Sequence, residues 1–323
     1  MKLRGGLAHA AAAGLLGLAL LLAGCAQGGA PRIDAELRAV PVAPGVYLLP
    51  GVPGEADRRT LGRIGNAGFI VGPHGVLAID AGTSTLHGRA LLRAIRRTTP
   101  LPVRAVLLTQ TKPDFLFGAL AFREAGIPVL MHREAAALMA ARCRVCLERL
   151  RRDVGEAAMA GTELFVPDEL FDQAHVLDRT GRPAQVLYFG HSSGPGDVAV
   201  LDPATGVLFA GGLLDERRIP DLHDADLPGW HGALAALRAL PGVRGVVPGH
   251  GPPATPAVID AVESYLSQLE DRVQVLLDEH APLSEVADRA ALPGYAGWDG
   301  YPGLHRRNAA TLFLRREQEA FGR

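Results

Sequence analysis

The sequence predicts an α/β domain, and three observations carry that expectation. Short β-rich runs alternate with amphipathic helical stretches through both halves of the chain. No linker-like break interrupts the alternation, which argues for one domain rather than two. The composition, 323 residues with 48% hydrophobic, 21% charged and 5% aromatic, excludes a disordered, collagenous or multi-span membrane chain. Lys+Arg 33 against Asp+Glu 34 gives a formal charge of -1, so no global field recruits nucleic acid or an anionic bilayer.

Residues 1–24 read as a signal peptide. Lys2 and Arg4 precede an uncharged Ala/Leu-rich stretch ending in Leu22, Ala23, Gly24 and Cys25. Small residues before a cysteine resemble a bacterial lipobox, which implies cleavage before Cys25 and a lipid on its sulfur. Ala26 follows in place of an aspartate, which favours the periplasmic face of an outer membrane. Residues 25–44 then form the lipidated cysteine and a polar Gly/Pro-containing tether, and residues 45–323 form the domain.

Within the domain, residues 46–49, 66–71 and 76–80 read as strands, 86–97 as an amphipathic helix and 104–108 as a strand. Residues 115–125 read as a helix, 128–131 as a buried strand and 133–152 as an Arg-rich helix with Glu134 near its positive end. The second half repeats the logic, with strands near 184–190, 197–202 and 207–210, a helix over 229–239 and a strand at 245–247. Pro256 opens a long helix to about residue 279, since proline costs nothing in the first turn, and a helix over 304–319 closes the chain.

Three stretches carry a family pattern: LLTQTKPDFLFGA (107–119), SGPGDVAV (193–200) with VLFAGG (207–212), and VPGHG (247–251). Their order and spacing resemble the metallo-β-lactamase superfamily, and NAGFIV (66–71) and VLAIDAG (76–82) extend the likeness over nearly the whole domain. The resemblance implies a four-layer αββα sandwich of two mirrored ββα halves, with loops at one edge holding one or two zinc ions. It also implies that Asp80 braces the loop under the site. Within the superfamily, AGTE (160–163), VPD (166–168) and HRRNAA (305–310) are similar to the metallohydrolases found beside periplasmic quinoprotein dehydrogenases.

The family's ligand pattern is largely replaced. Where it places His-x-His-x-Asp-His, this chain has Gln110, Lys112, Asp114 and Phe115; the next ligand histidine aligns with Ser193, and the bridging aspartate with Gly212. With the position of His250 as the seventh, only Asp114 and His250 keep a side chain of the expected type, too few for zinc, which takes three or four protein ligands. His191 is a substitute, because a strand's period of two would turn it to the same side as Ser193. Asp114, His191 and His250 would then make a two-histidine, one-carboxylate set for one divalent metal. Against the metal stands Lys112, whose ammonium would repel a divalent cation by about 4 kcal/mol per unit charge at ~4 Å. Lys112 could replace the metal's charge instead, pairing with Asp114 in a small cationic pocket, or extend from a loop into solvent.

With Cys25 lipidated, only Cys143 and Cys146 remain, one helical turn apart in a compartment that permits oxidation. Arg142, Arg144, Arg149, Arg151 and Arg152 would lower a neighbouring thiol's pKa, which suggests a redox pair; an inert disulfide or two semi-buried thiols is the other reading. Leu147 after Cys146 excludes haem attachment. A G-x-S-x-G string spans 190–194, but Pro195, Gly196 and a strand follow where a nucleophile elbow needs a helix. His74, His87, His132 and His175 lack ligand spacing, His231 reads as structural, and His223 would lie at the mouth of the site.

The expected function is a lipid-anchored, non-hydrolytic binding or accessory member without a cofactor. Its partner would be a small molecule or a periplasmic protein, with membrane attachment through Cys25 and no nucleic acid. The alternatives are a hydrolase of an ester, thioester or lactam-like bond using one rearranged zinc site, and a thiol-redox protein acting through Cys143 and Cys146.

Overall fold

The computed structural model describes residues 37–321. Two sheets carry the fold. The first orders β1 (Val40–Ala43), β2 (Val46–Leu49), β3 (Ala67–Gly72), β4 (Gly75–Ile79), β5 (Val103–Leu108), β6 (Val129–His132) and β7 (Glu169–Phe171) side by side. It is antiparallel through β4 and parallel from β4 to β7. The second orders β12 (Gly245–Pro248), β11 (Val207–Gly211), β10 (Val198–Asp202), β9 (Ala184–Tyr188) and β8 (His175–Leu177).

Period-two side-chain alternation sorts the strands into layers. Leu77, Ile79, Ala105 and Leu107 meet Val198, Val200, Val207 and Phe209 in the core between the sheets. The intervening Val76, Ala78, Val106 and Leu108 face outward and pack under α1 (Thr85–Thr98), α3 (Ala119–Glu124) and α4 (Arg133–Val154). On the opposite side Ala199, Leu201, Leu208 and Ala210 pack under α5 (Leu227–Ala239), α6 (Val258–Asp278) and α8 (Arg306–Phe321). The result is the αββα sandwich. α2 (Pro113–Leu116) and α7 (Leu283–Arg289) complete the α-helices of the described residues, none of which is long and apolar enough to cross a membrane.

β7, β8 and α7 fall in stretches to which the sequence reading assigned no element, and two of its assignments change. β1 lies inside the segment assigned to the tether and pairs antiparallel with β2, so the ordered sheet starts before residue 45. The single helix expected over 115–125 is broken into α2 and α3 at Gly118, whose N–H donates to the Gly82 carbonyl at 2.9 Å. A Cβ there would fall 1.9 Å from the Ala81 carbonyl oxygen; only glycine allows this close approach of the two loops.

Candidate functional site

The site forms where loops leave the same edge of both sheets. Asp80, at the end of β4 and in the left-handed region at φ 60, accepts from the Thr109 N–H at 2.8 Å and from its hydroxyl at 2.8 Å. That fixes the start of the segment 109–112. Burial pushes the Asp80 carboxyl up to about 7, with the Thr109 hydrogen bonds opposing. Pro113 opens α2 directly after Lys112 and sets Asp114 in its first turn. Asn66, just before β3 in the same half, ties down the loop of the other half that carries His250: its amide nitrogen donates to the Pro248 and Gly251 carbonyls at 2.9 and 2.8 Å. The backbone of 214–216 pairs with that loop, Gly249 N to Leu214 O at 2.8 Å and Glu216 N to His250 O at 3.0 Å.

These constraints place His250 between two carboxylates. Its Nε2 lies 2.7 Å from Asp114 Oδ2 and its Nδ1 2.7 Å from Asp215 Oδ1, with all three side chains buried. A carboxylate only accepts, so satisfying both contacts requires both ring nitrogens to carry protons. Burial disfavours the charged ring, but Asp215 and Asp114 outweigh it and hold the pKa above the usual histidine value. Burial likewise works against the ionised forms of Asp114 and Asp215, and the imidazolium nonetheless keeps both low. The Phe115 ring meets the imidazole edge-on with centroids 5.1 Å apart.

Lys112 is half-buried. Burial disfavours its charge, and Asp215, Asp221, Asp197 and Asp114 together more than restore it. The expected Lys112–Asp114 pair is replaced by one between Asp114 and His250, and the ammonium is supported through space by the charges of all four carboxylates. The surroundings are carboxylate-rich rather than cationic. Gln110 is 1% exposed and neither end of its amide has a hydrogen-bond partner among the described residues. Ser193 donates to Asp197 Oδ2 at 2.6 Å, while burial raises Asp197 to about 6, with Lys112 and Ser193 pulling the other way. A Cβ on Gly212 would fall 2.6 Å from both Asp197 Oδ2 and Gln110 Oε1, so no carboxylate fits there while those side chains stay.

The proposed metal set is not assembled. His191 is exposed, and its Nε2 is taken up by the Asp224 carbonyl at 2.7 Å. Among the described residues no group of three or more His, Cys, Asp or Glu side chains converges to hold a metal ion. Beside the Gln110 amide, the Lys112 ammonium and the Ser193 hydroxyl, the ligating groups that gather are carboxylates already engaged by His250, Ser193 and the nearby positive charge, and a protonated ring has no lone pair for a metal. These residues do not fit zinc.

Sequence reasoning missed Asp215, the partner that fixes the state of His250, along with Asp197 and Asn66. The signal for Asp215 is an acidic residue closing the apolar run GGLL (211–214), three positions after Gly212. Cys25 lies outside the described residues. Cys143 and Cys146 are free thiols on α4, away from the His250 network. The thiols act on each other more than the arginines act on them: Cys146 and burial push Cys143 up, while Cys143, with Arg149 as a lesser contributor, brings Cys146 down to about 7.

The metallo-beta-lactamase superfamily model matches residues 60–274. A type 2 metallo-beta-lactamase of Bacteroides fragilis is 29% identical over 109 residues, 32% of this chain and 44% of that protein. A linear primary-alkylsulfatase of Pseudomonas sp. (strain ATCC 19151) is 23% identical over 244 residues, 65% of this chain and 46% of that protein. The chain thus matches less than half the length of either relative. Among solved structures, a metallo-beta-lactamase from Pontibacter korlensis superposes with a TM-score of 0.60 at 22% identity, covering 72% of this chain and 99% of that one. The DIM-1 metallo-beta-lactamase does so at 0.57 and 17%, covering 72% and 97%. From the family model across most of its sandwich and the matching layer order, the chain belongs to the metallo-beta-lactamase superfamily.

Proposed function

We propose that this chain is a non-hydrolytic member of the superfamily, a binding or accessory protein that uses the loop edge around Lys112, Asp114 and His250 without a metal. One observation carries the reading: both nitrogens of His250 are bonded to carboxylates. Metal-dependent hydrolysis relies on an ion lowering the pKa of bound water towards ~7. An imidazolium held in place by Asp114 and Asp215 is spent as an internal cation and offers that ion no ligand. The bound partner is a small molecule or a protein of the periplasm, in the setting of quinoprotein-linked oxidation that the motifs at 160–163, 166–168 and 305–310 suggest.

The deciding experiment is metal content per chain by inductively coupled plasma mass spectrometry, on protein purified without chelator or added zinc. A zinc ratio near zero that persists after zinc is supplied is the expected result. A ratio near one that falls on replacing His250 would overturn the reading. It would restore the hydrolase alternative, with lactam and sulfate-ester substrates tried first because the two curated relatives are a beta-lactamase and an alkylsulfatase.

The anchoring part of the proposal rests on the sequence around Cys25. In a Gram-negative host the full-length protein is expected in the membrane fraction, and Cys25→Ala is expected to leave it in the soluble periplasmic extract. Recovery of both in the same fraction would remove the lipid from the account.

A further inference from the structure

The Cys143 and Cys146 thiols are not used by the site above. α4 runs unbroken from Arg133 to Val154, so the two residues keep regular helical spacing. Cys143 is 2% exposed in the core under the first sheet, with Met139, Leu147 and Leu150 beside it, and half-buried Cys146 sits at the margin of that cluster. The two thiols lie one helical turn apart, and the Cys146 thiol donates to the Arg142 carbonyl oxygen at 3.8 Å.

Helix geometry decides what such a pair can do. Residues three apart on a helix hold their Cβ atoms about 5–6 Å apart, whereas a disulfide needs about 3.5–4.5 Å. Closing an S–S bond would distort a turn that is locked to the core by Cys143 and Leu147. A metal ion bound between two opposed thiolates, with metal–sulfur bonds of about 2.3 Å, needs the sulfurs no more than about 4.6 Å apart. Side-chain rotation alone reaches that spacing. Thiolate and thioether donors select soft ions, cuprous copper foremost. Met139, four residues before Cys143 and seven before Cys146, adds a third soft donor to the same helix face.

The neighbouring charge does not oppose a cation. Arg142 is ion-paired with Asp224, Arg144 with Glu148 at 3.7 Å, and Arg149 with Asp153 at 3.3 Å. Cys146, being half-buried, provides the entry.

We propose that Cys143 and Cys146 form a clip for one soft monovalent cation of the cuprous type, with the Met139 thioether alongside. Binding one such ion releases both thiol protons and leaves a bis-thiolate complex of net charge -1; no electron is transferred.

The test uses the reduced full chain carrying Cys25→Ala, so that these two thiols are the only ones present. It is titrated with cuprous ion, without oxygen, against a chromogenic cuprous chelator. The expected result is one ion per chain with a thiolate-to-copper absorption in the ultraviolet. Affinity should fall about 100-fold or more in Cys146→Ser, the loss of one of two anionic ligands, and by a smaller factor in Met139→Leu. Unchanged circular dichroism would show that Cys146→Ser still folds. Failure to compete with the chelator, or equal binding by Cys146→Ser, would overturn the clip. So would rapid loss of both thiols to a disulfide under diamide with unaltered melting, because it would show that the helix does not resist the bond.

Discussion

His250→Ala is expected to destabilise the protein by about 3–5 kcal/mol near neutral pH, because it strands two buried carboxylates without their shared cation. For a domain of this size that is a fall in melting temperature of roughly 10 °C. His250→Gln should recover part of the loss, since its amide can donate to one carboxylate. The pH dependence gives the effect a signature. The raised pKa of His250 means that its contribution is complete below its unfolded value of about 6.5 and is lost as pH rises through the folded value. The depressed pKa values of Asp114 and Asp215 mean that theirs is present above the unfolded value and is lost as pH falls through the folded ones. The gap between wild type and His250→Ala should therefore be widest between those limits and shrink on both sides. Urea unfolding across that range checks it, and a gap independent of pH would contradict the charged state assigned to the ring.

Lys112→Met is expected to act in a different window. The substitution keeps the stem and removes the charge that Asp215, Asp221, Asp197 and Asp114 share. With those carboxylates ionised the cost should be about 2 kcal/mol, the scale of a unit charge some 8 Å away at an effective dielectric near ~20. Asp197 protonates at about 6, so the cost should lessen as pH is lowered through that value, one carboxylate then needing no counter-charge. Lys112 itself, with its pKa raised, contributes fully below its unfolded value near 10.5 and loses that contribution only above it. Parallel thermal melts at pH 5 and pH 8 measure the difference. Equal stability of Lys112→Met and wild type at both would mean that the ammonium stands free of the carboxylates.

The layer order came from the family resemblance, because the central strands are apolar on both faces and their alternation shows only in the structure. Val76 to Ile79 and Val198 to Leu201 alternate between two cores, and each helix between them has an apolar face that needs a sheet. The break between α2 and α3 was not legible, since a helical pattern persists across Gly118 and only the approach of the Ala81 loop shows why the helix must stop. For the site, the resemblance to the family's ligand pattern identified Asp114 and His250 but not what they do to one another. Their separation of 136 residues is bridged by Asn66 and the 214–216 segment, whose hydrogen bonds are set by three-dimensional packing. His191 shows the reverse case: period two places it well along a strand, yet β9 ends at Tyr188 and the loop beyond turns the ring to Asp224.

The contact between Asp114 and His250 also joins the two halves of the sandwich, since one residue follows β5 and the other follows β12. An ion in that place would be a loan from the surroundings, removable by any stronger chelator and absent whenever its supply failed. A side chain is installed during translation, one per molecule, and cannot be exchanged. The seam between the halves is therefore closed from the moment of folding.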